Sequence, residues 1–153
     1  MVLYLVQHGK NMPKDMDPQK GLSKEGLSEV KRIADVAAQY GVKVSKIYHS
    51  GKTRAEQTAK VFASSLNAES GIDQVDGMKP LDGVAAFAKK IDSVENIMLV
   101  GHLPFMEKLT SYLVAGTDEY PIFKFQNGGI VCLQKEPDAS RWIIKWSLMP
   151  DIG

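Results

Sequence analysis

Three side chains in this sequence combine the chemistry of a nucleophile, an acid–base group and a fixed cation: His8, Arg54 and His102. Histidine changes charge near neutral pH and serves as nucleophile, acid or base. Arginine presents a planar fork of N–H donors that matches phosphate oxygens. Each of the three comes just after a segment that reads as a buried strand. His8 follows the apolar run Met1–Val6, Arg54 follows Val44–His49 across a short loop, and His102 follows Asn96–Gly101. In open α/β sheets, ligands gather at the carboxyl ends of strands, where the starts of the following helices offer free N–H groups to anions. Two imidazoles and a guanidinium meeting on one sheet edge make a site suited to a phosphate.

Other polar residues read more plainly. His49 ends a strand as a structural or rim residue, and Ser50 and Thr53 are candidate caps for the next helix. Cys132 lies among Ile130, Val131 and Leu133 and is expected to pack in the core. The histidines and the cysteine form no close ligand pair, so no metal site is expected.

The elements that must position these groups follow from apolar spacing. A polar loop runs from Gly9 to Gly21. Ser23 then caps a helix with Leu27, Val30, Ile33 or Ala34, Ala37 and Tyr40 on its apolar side, and Gly41 stops it. A helix from about Thr53 to Leu66 carries Ala55, Ala59, Phe62 and Leu66. A short strand near Ile72–Val75 precedes a helix around Gly83–Ile91. After the Asn96–Gly101 strand, Pro104 suits the first turn of a helix carrying Met106, Leu109, Tyr112 and Leu113. Gly129–Gln134 and Trp142–Leu148 read as a hairpin. Alternating strands and helices imply an α/β sandwich of three layers, its central sheet mostly parallel, with an antiparallel hairpin near the C-terminus.

Composition limits the function classes. The chain has 153 residues, which is one domain's length, with 44% hydrophobic and 24% charged residues. Nineteen basic residues against eighteen acidic give a formal charge of +1, which argues against a nucleic-acid binder. A single cysteine points to a reducing compartment. No apolar run approaches the roughly 18 residues of a membrane span, and the N-terminus lacks the basic flank and cleavage site of a signal peptide. The expectation is a single domain over residues 1–153, cytoplasmic and monomeric, with no membrane or nucleic-acid partner.

Four segments together resemble the histidine phosphatase superfamily, in particular its SixA-type phosphohistidine phosphatases. They are Leu5-Val6-Gln7-His8-Gly9, then Gly21-Leu22-Ser23-Lys24-Glu25-Gly26, then the stretch Ser50 to Ala59 with its Ser-x-x-x-Arg-Ala-x-Gln-Thr pattern, and Leu99-Val100-Gly101-His102-Leu103-Pro104. They occur in family order and span nearly the whole chain. The resemblance implies a phosphoglycerate mutase-like fold and a covalent mechanism without metal or organic cofactor. His8 would be the nucleophile, and Arg54 and His102 would hold the phosphoryl oxygens. Ser50 and Asn11 would add neutral donors, and Asp17 matches the acidic position of the family's loop as general acid.

One residue departs from the pattern. The family motif begins Arg-His-Gly, and this chain has Gln7, which donates hydrogen bonds without charge. Lys10 and Lys52 are near enough in sequence to compensate. With no long insertion to enclose a small substrate, the resemblance favours phosphohistidine on a partner protein. The alternatives are a small-molecule phosphomonoesterase and a non-catalytic module that binds phosphate or a phosphoprotein after losing the arginine.

Overall fold

The apolar run at the N-terminus forms β1 (Val2–Gln7), and the alternation of its side chains sets the layering of the molecule. Leu3 and Leu5 face one way and Tyr4 and Val6 the other, as period-two pleating requires. The computed structural model describes residues 1–91 and 96–152. In chain order, β1 is followed by α1 (Lys24–Gln39), β2 (Lys46–His49), α2 (Thr53–Leu66), β3 (Ile72–Gln74), α3 (Val84–Ala88), β4 (Ile97–Gly101), α4 (Phe105–Ala115), β5 (Ile130–Gln134) and β6 (Ile143–Leu148). The strands form one sheet in the order β3-β2-β4-β1-β5-β6. β1, β4, β2 and β3 are parallel, and β5 and β6 add an antiparallel edge. The architecture is the expected α/β sandwich.

Helices cover both faces. On one side Leu3, Leu5, Leu99 and Val131 pack against Phe87 of α3 and Phe105 and Leu109 of α4. On the other, Tyr4, Val6, Met98, Val100 and Cys132 meet Val30 and Ile33 of α1 and Ala59 and Phe62 of α2. Each fully buried side chain of this size stabilises the fold by roughly 1.5–3 kcal/mol relative to exposure. Cys132 is one of them, and burial pushes its thiol up to about 11. The sequence's core assignment therefore holds, since a protonated, enclosed thiol is inert. Among the described residues, no helix is long and apolar enough to cross a membrane.

Ser23 caps α1 as expected, its Oγ accepting from the Gly26 amide at 3.0 Å. Val30, Ile33, Ala34 and Ala37 are buried as expected, and the face differs only at its ends. Gly26 is buried and Leu27 is 49% exposed, while Tyr40, at the end of the helix, is 83% exposed. The cause is the polar loop, whose Lys10 backbone lies directly on Gly26, where a Cβ would overlap the Lys10 carbonyl oxygen. Lys10 O also accepts the Ser23 amide at 2.9 Å. The loop after β1 is thus clamped to the first turn of α1, with Gly26 beneath it and Leu27 left facing water. α3 is also shorter than expected, although Ile91 beyond it is buried.

The Gly26 contact makes a direct prediction. Gly26→Ala should lower stability by about 1–3 kcal/mol, the usual cost of overfilling a packed contact. Gly83→Ala, with open space at its Cβ position, should be near neutral. Urea denaturation midpoints of the two variants check the difference.

Candidate active site

β2, β4 and β1 are neighbours in the sheet, so their carboxyl ends lie side by side. Gln7 pairs in register with Gly101, and His49 with Val100. The next residues along each chain, His8, His102 and Ser50, emerge from three adjacent strands. The two imidazole rings lie 5.0 Å apart between centroids. Arg54, in the first turn of α2, reaches the same place, its Nε 3.3 Å from His8 Nε2. The structure thus brings together His8, Arg54, His102 and Ser50.

Hydrogen bonding assigns the state of His8. Its Nδ1 lies 2.7 Å from the Gly9 carbonyl oxygen, an acceptor that requires the proton on Nδ1. A neutral ring then carries its lone pair on Nε2, and this lone pair accepts from the Arg54 N–H. The unprotonated nitrogen of His8 is therefore Nε2, and it faces the Arg54 guanidinium. His102 Nε2 and Ser50 Oγ are 2.6 Å apart, so Ser50 serves the histidine and does not cap α2. The cap position is Lys52, with no side-chain bond. His102 Nδ1 is buried with no hydrogen-bond partner among the described residues.

Electrostatics keep both rings neutral. His8 is pushed down to about 4, chiefly because burial penalises the cation, with Arg54 and Lys20 adding repulsion against the opposing pull of the Gly9 carbonyl. His102 is pushed down to about 3 by burial first, then by His8, Arg54 and Lys52. Burial also lowers Arg54, without threatening its charge at neutral pH.

Residues whose role spacing alone did not reveal hold this geometry. Thr58 links the loop after β1 to α2: the Gly9 amide donates to Thr58 Oγ1 at 3.0 Å, and the hydroxyl donates to the Arg54 carbonyl at 2.7 Å. Gln57 accepts the Leu22 amide at 2.6 Å. The Gln-Thr end of the Arg-Ala-x-Gln-Thr pattern thus ties Arg54's helix to the loops around His8. Asn127 donates to the His8 carbonyl at 2.9 Å. Nothing in the sequence marks Asn127, because 119 positions separate it from His8.

Asp17 and Asn11, also expected in the site, make hydrogen bonds within the loop after β1. Asp17 accepts the Gln19 and Gly21 amides on its two carboxylate oxygens, at 3.0 and 2.8 Å, and so shapes its own loop. The Asn11 amide donates to the Met12 carbonyl at 2.9 Å. Gln7 is 9% exposed, and its Oε1 is buried without a partner among the described residues. Of the two lysines, Lys10 pairs with Glu25 and Glu29, whereas Lys52 is exposed and its charge acts on His102. His49 accepts the Gly51 amide, a turn role. A groove of about 530 Å³ adjoins Ser50, walled by Asp76, Lys79, Asp82, Phe87 and Lys90.

The depressed histidines fix a pH dependence. Between pH 6.5 and about 4 the unfolded imidazoles bind protons that the folded ones refuse, so stability must fall as pH drops through this window. Each histidine contributes a slope of up to about 1.4 kcal/mol per pH unit, and neither contributes above pH 6.5. Urea unfolding of His8→Ala should show a shallower loss across this window than the parent chain. Parallel curves would contradict the neutral, buried His8.

A scan against protein-family models finds no match, and a search of the curated proteins finds none either. Solved structures do match. A protein histidine phosphatase SixA complexed with tungstate aligns over 98% of this chain and 97% of its own, with a TM-score of 0.86 at 21% identity. A protein assigned as a phosphohistidine phosphatase SixA from Agrobacterium tumefaciens aligns over 97% of both chains, with a TM-score of 0.77 at 26% identity. A phosphoglycerate mutase from Bacillus anthracis shares the fold at a TM-score of 0.71 and 12% identity, over 95% of this chain and 91% of its own. The chain thus has the fold of the histidine phosphatase superfamily, with SixA phosphohistidine phosphatases among its structural neighbours.

Proposed function

We propose that the protein removes phosphate from phosphohistidine on a partner protein through a covalent intermediate on His8. The observation that carries this reading is the unprotonated His8 Nε2 beside the Arg54 guanidinium. Phosphoryl oxygens entering the site draw the Arg54 N–H away from Nε2 and free the lone pair. That lone pair forms the new N–P bond as the substrate's N–P bond breaks. The leaving imidazole takes its electron pair and a proton from an acid. Water then gives a proton back to that acid's conjugate base and attacks phosphorus, the His8 N–P bond breaks with its electron pair returning to Nε2, and phosphate leaves.

Arg54 and the Ser50–His102 pair stabilise charge on the transferring group, the main task in phosphoryl transfer. Two carboxyls are candidates for the acid. Asp17 would have to release its turn, whereas Asp76 already lines the groove next to Ser50. A protein substrate is favoured by that groove and by Leu81, which lies between the groove residues Lys79 and Asp82 and is 87% exposed.

The test is hydrolysis of a phosphohistidine protein compared with a small phosphomonoester. The parent chain should prefer the protein, and His8→Ala should lose turnover at least a thousandfold, the scale of losing an essential nucleophile. Asp17→Asn and Asp76→Asn in the same assay identify the acid. Turnover of His8→Ala within a few-fold of the parent overturns the proposal, and a preference for the small ester makes the protein a small-molecule phosphatase.

Gln7 gives a second prediction. Restoring the cation as Gln7→Arg should tighten phosphate inhibition and raise turnover, by about five- to thirtyfold, since charged hydrogen bonds exceed neutral ones by roughly 1–2 kcal/mol. With Lys10 engaged by two glutamates, Lys52 is the lysine available to substitute. A gain only in Gln7→Arg combined with Lys52→Ala assigns Lys52 that role. No gain in either means that Gln7 does not face the phosphate.

A further inference from the structure

A second concave site lies at the far end of α4, the helix that begins shortly after His102. It is a cavity of about 240 Å³ whose lining includes Lys89, Tyr112, Lys135, Ser140, Arg141 and Trp142. Three cations and no carboxylate line it among the described residues. The whole chain carries nineteen basic residues against eighteen acidic ones, so this convergence is a local departure from a balanced surface. Like charges gathered in a concavity repel one another and raise the local potential for anions.

The walls are built from fixed parts. Trp142 is 2% exposed and belongs to the core cluster under α4. Its backbone amide donates to the Leu113 carbonyl at 3.1 Å, and the Lys135 ammonium lies 5.9 Å from its ring centroid. Arg141 Nη1 donates to the Ala115 carbonyl at 3.0 Å, and its guanidinium packs against Gly116. Gly116 has φ +81° and would bring a Cβ within 3.1 Å of Arg141 Nη2. Part of this charge answers the carbonyl end of α4. One of the five guanidinium donors meets that need, leaving the rest of the fork, Lys89 and the hydroxyls of Tyr112 and Ser140.

We propose that this cavity binds a compact phosphate-type dianion, either free phosphate or the phosphoryl group of a small metabolite. Its volume falls below the roughly 300–1,000 Å³ of drug-sized pockets, which limits the occupant to a small molecule. The arginine fork supplies geometry for tetrahedral oxygens, and Lys89 supplies further charge. The site is separate from the His8 centre and does not depend on the proposed activity.

Trp142 is one of two tryptophans in the chain, so Trp146→Phe leaves it as the sole indole reporter. Titrating this variant with inorganic phosphate at fixed ionic strength should give a saturable change in Trp142 fluorescence that chloride does not produce. Lys89→Gln and Arg141→Gln should each weaken it roughly tenfold, the loss of one charge-assisted contact. Lys89→Gln keeps the test valid if removing the Arg141 bond to α4 prevents folding. Arg54→Ala should leave the response unchanged. A glycerol phosphate arm identifies the source: tighter binding than phosphate supports a phosphorylated metabolite, and weaker binding supports the free ion. No saturable response, an equal response to chloride, survival in Lys89→Gln at full strength, or loss in Arg54→Ala each overturns the proposal.

Discussion

The hydrogen bond from His8 Nδ1 to the Gly9 carbonyl is the contact on which the rest of this site depends. It settles which nitrogen carries the proton and therefore which one is free to react. Gly9 does more than accept that bond. Its amide donates to Thr58, whose hydroxyl donates to the carbonyl of Arg54. One residue thus couples the tautomer of His8 to the placement of the guanidinium. Glycine is required there because a Cβ would come within 2.6 Å of Val30 in α1. The sheet, α1 and α2 meet around this turn, and their packing fixes the chemistry.

Burial has an electrostatic consequence that suits phosphoryl transfer. Two imidazoles enclosed beside an arginine cannot both accept protons, because burial and mutual repulsion disfavour the charged forms. The folded protein carries this as a stability loss in acid, and keeps His8 at neutral pH as an uncharged imidazole, the form the proposed reaction needs in a nucleophile. In the proposed reaction Arg54 supplies the fixed charge for the phosphoryl oxygens. Gln7, where the family pattern has arginine, leaves that charge to Arg54 and its surroundings.

The central residues were legible in the sequence because a buried parallel strand places the residue after it at a known edge. His8, His102 and Ser50 fall at the ends of β1, β4 and β2, which the sheet order makes neighbours. Contacts across long separations were not legible. Asn127 reaches the His8 carbonyl from the turn before β5, with no local pattern to announce it. Leu27 looked like a core residue by helical spacing, yet the backbone of Lys10 on Gly26 turns it to solvent. Asp17 matched an acidic position in the loop, while its two carboxylate oxygens close a backbone turn. For Asn127 and Leu27 a tertiary contact decides the outcome, whereas the turn at Asp17 is closed by its own near neighbours.

The most direct test of the central claim is to trap the covalent intermediate. The parent chain is mixed with phosphohistidine protein, quenched in alkali within milliseconds, and analysed by mass spectrometry and by acid lability. A phosphoryl group on His8, stable in alkali and lost in acid, is the predicted result. It should form at least as fast as steady-state turnover and be absent from His8→Ala. Turnover with no label on His8, or with the label on another residue, would contradict the account.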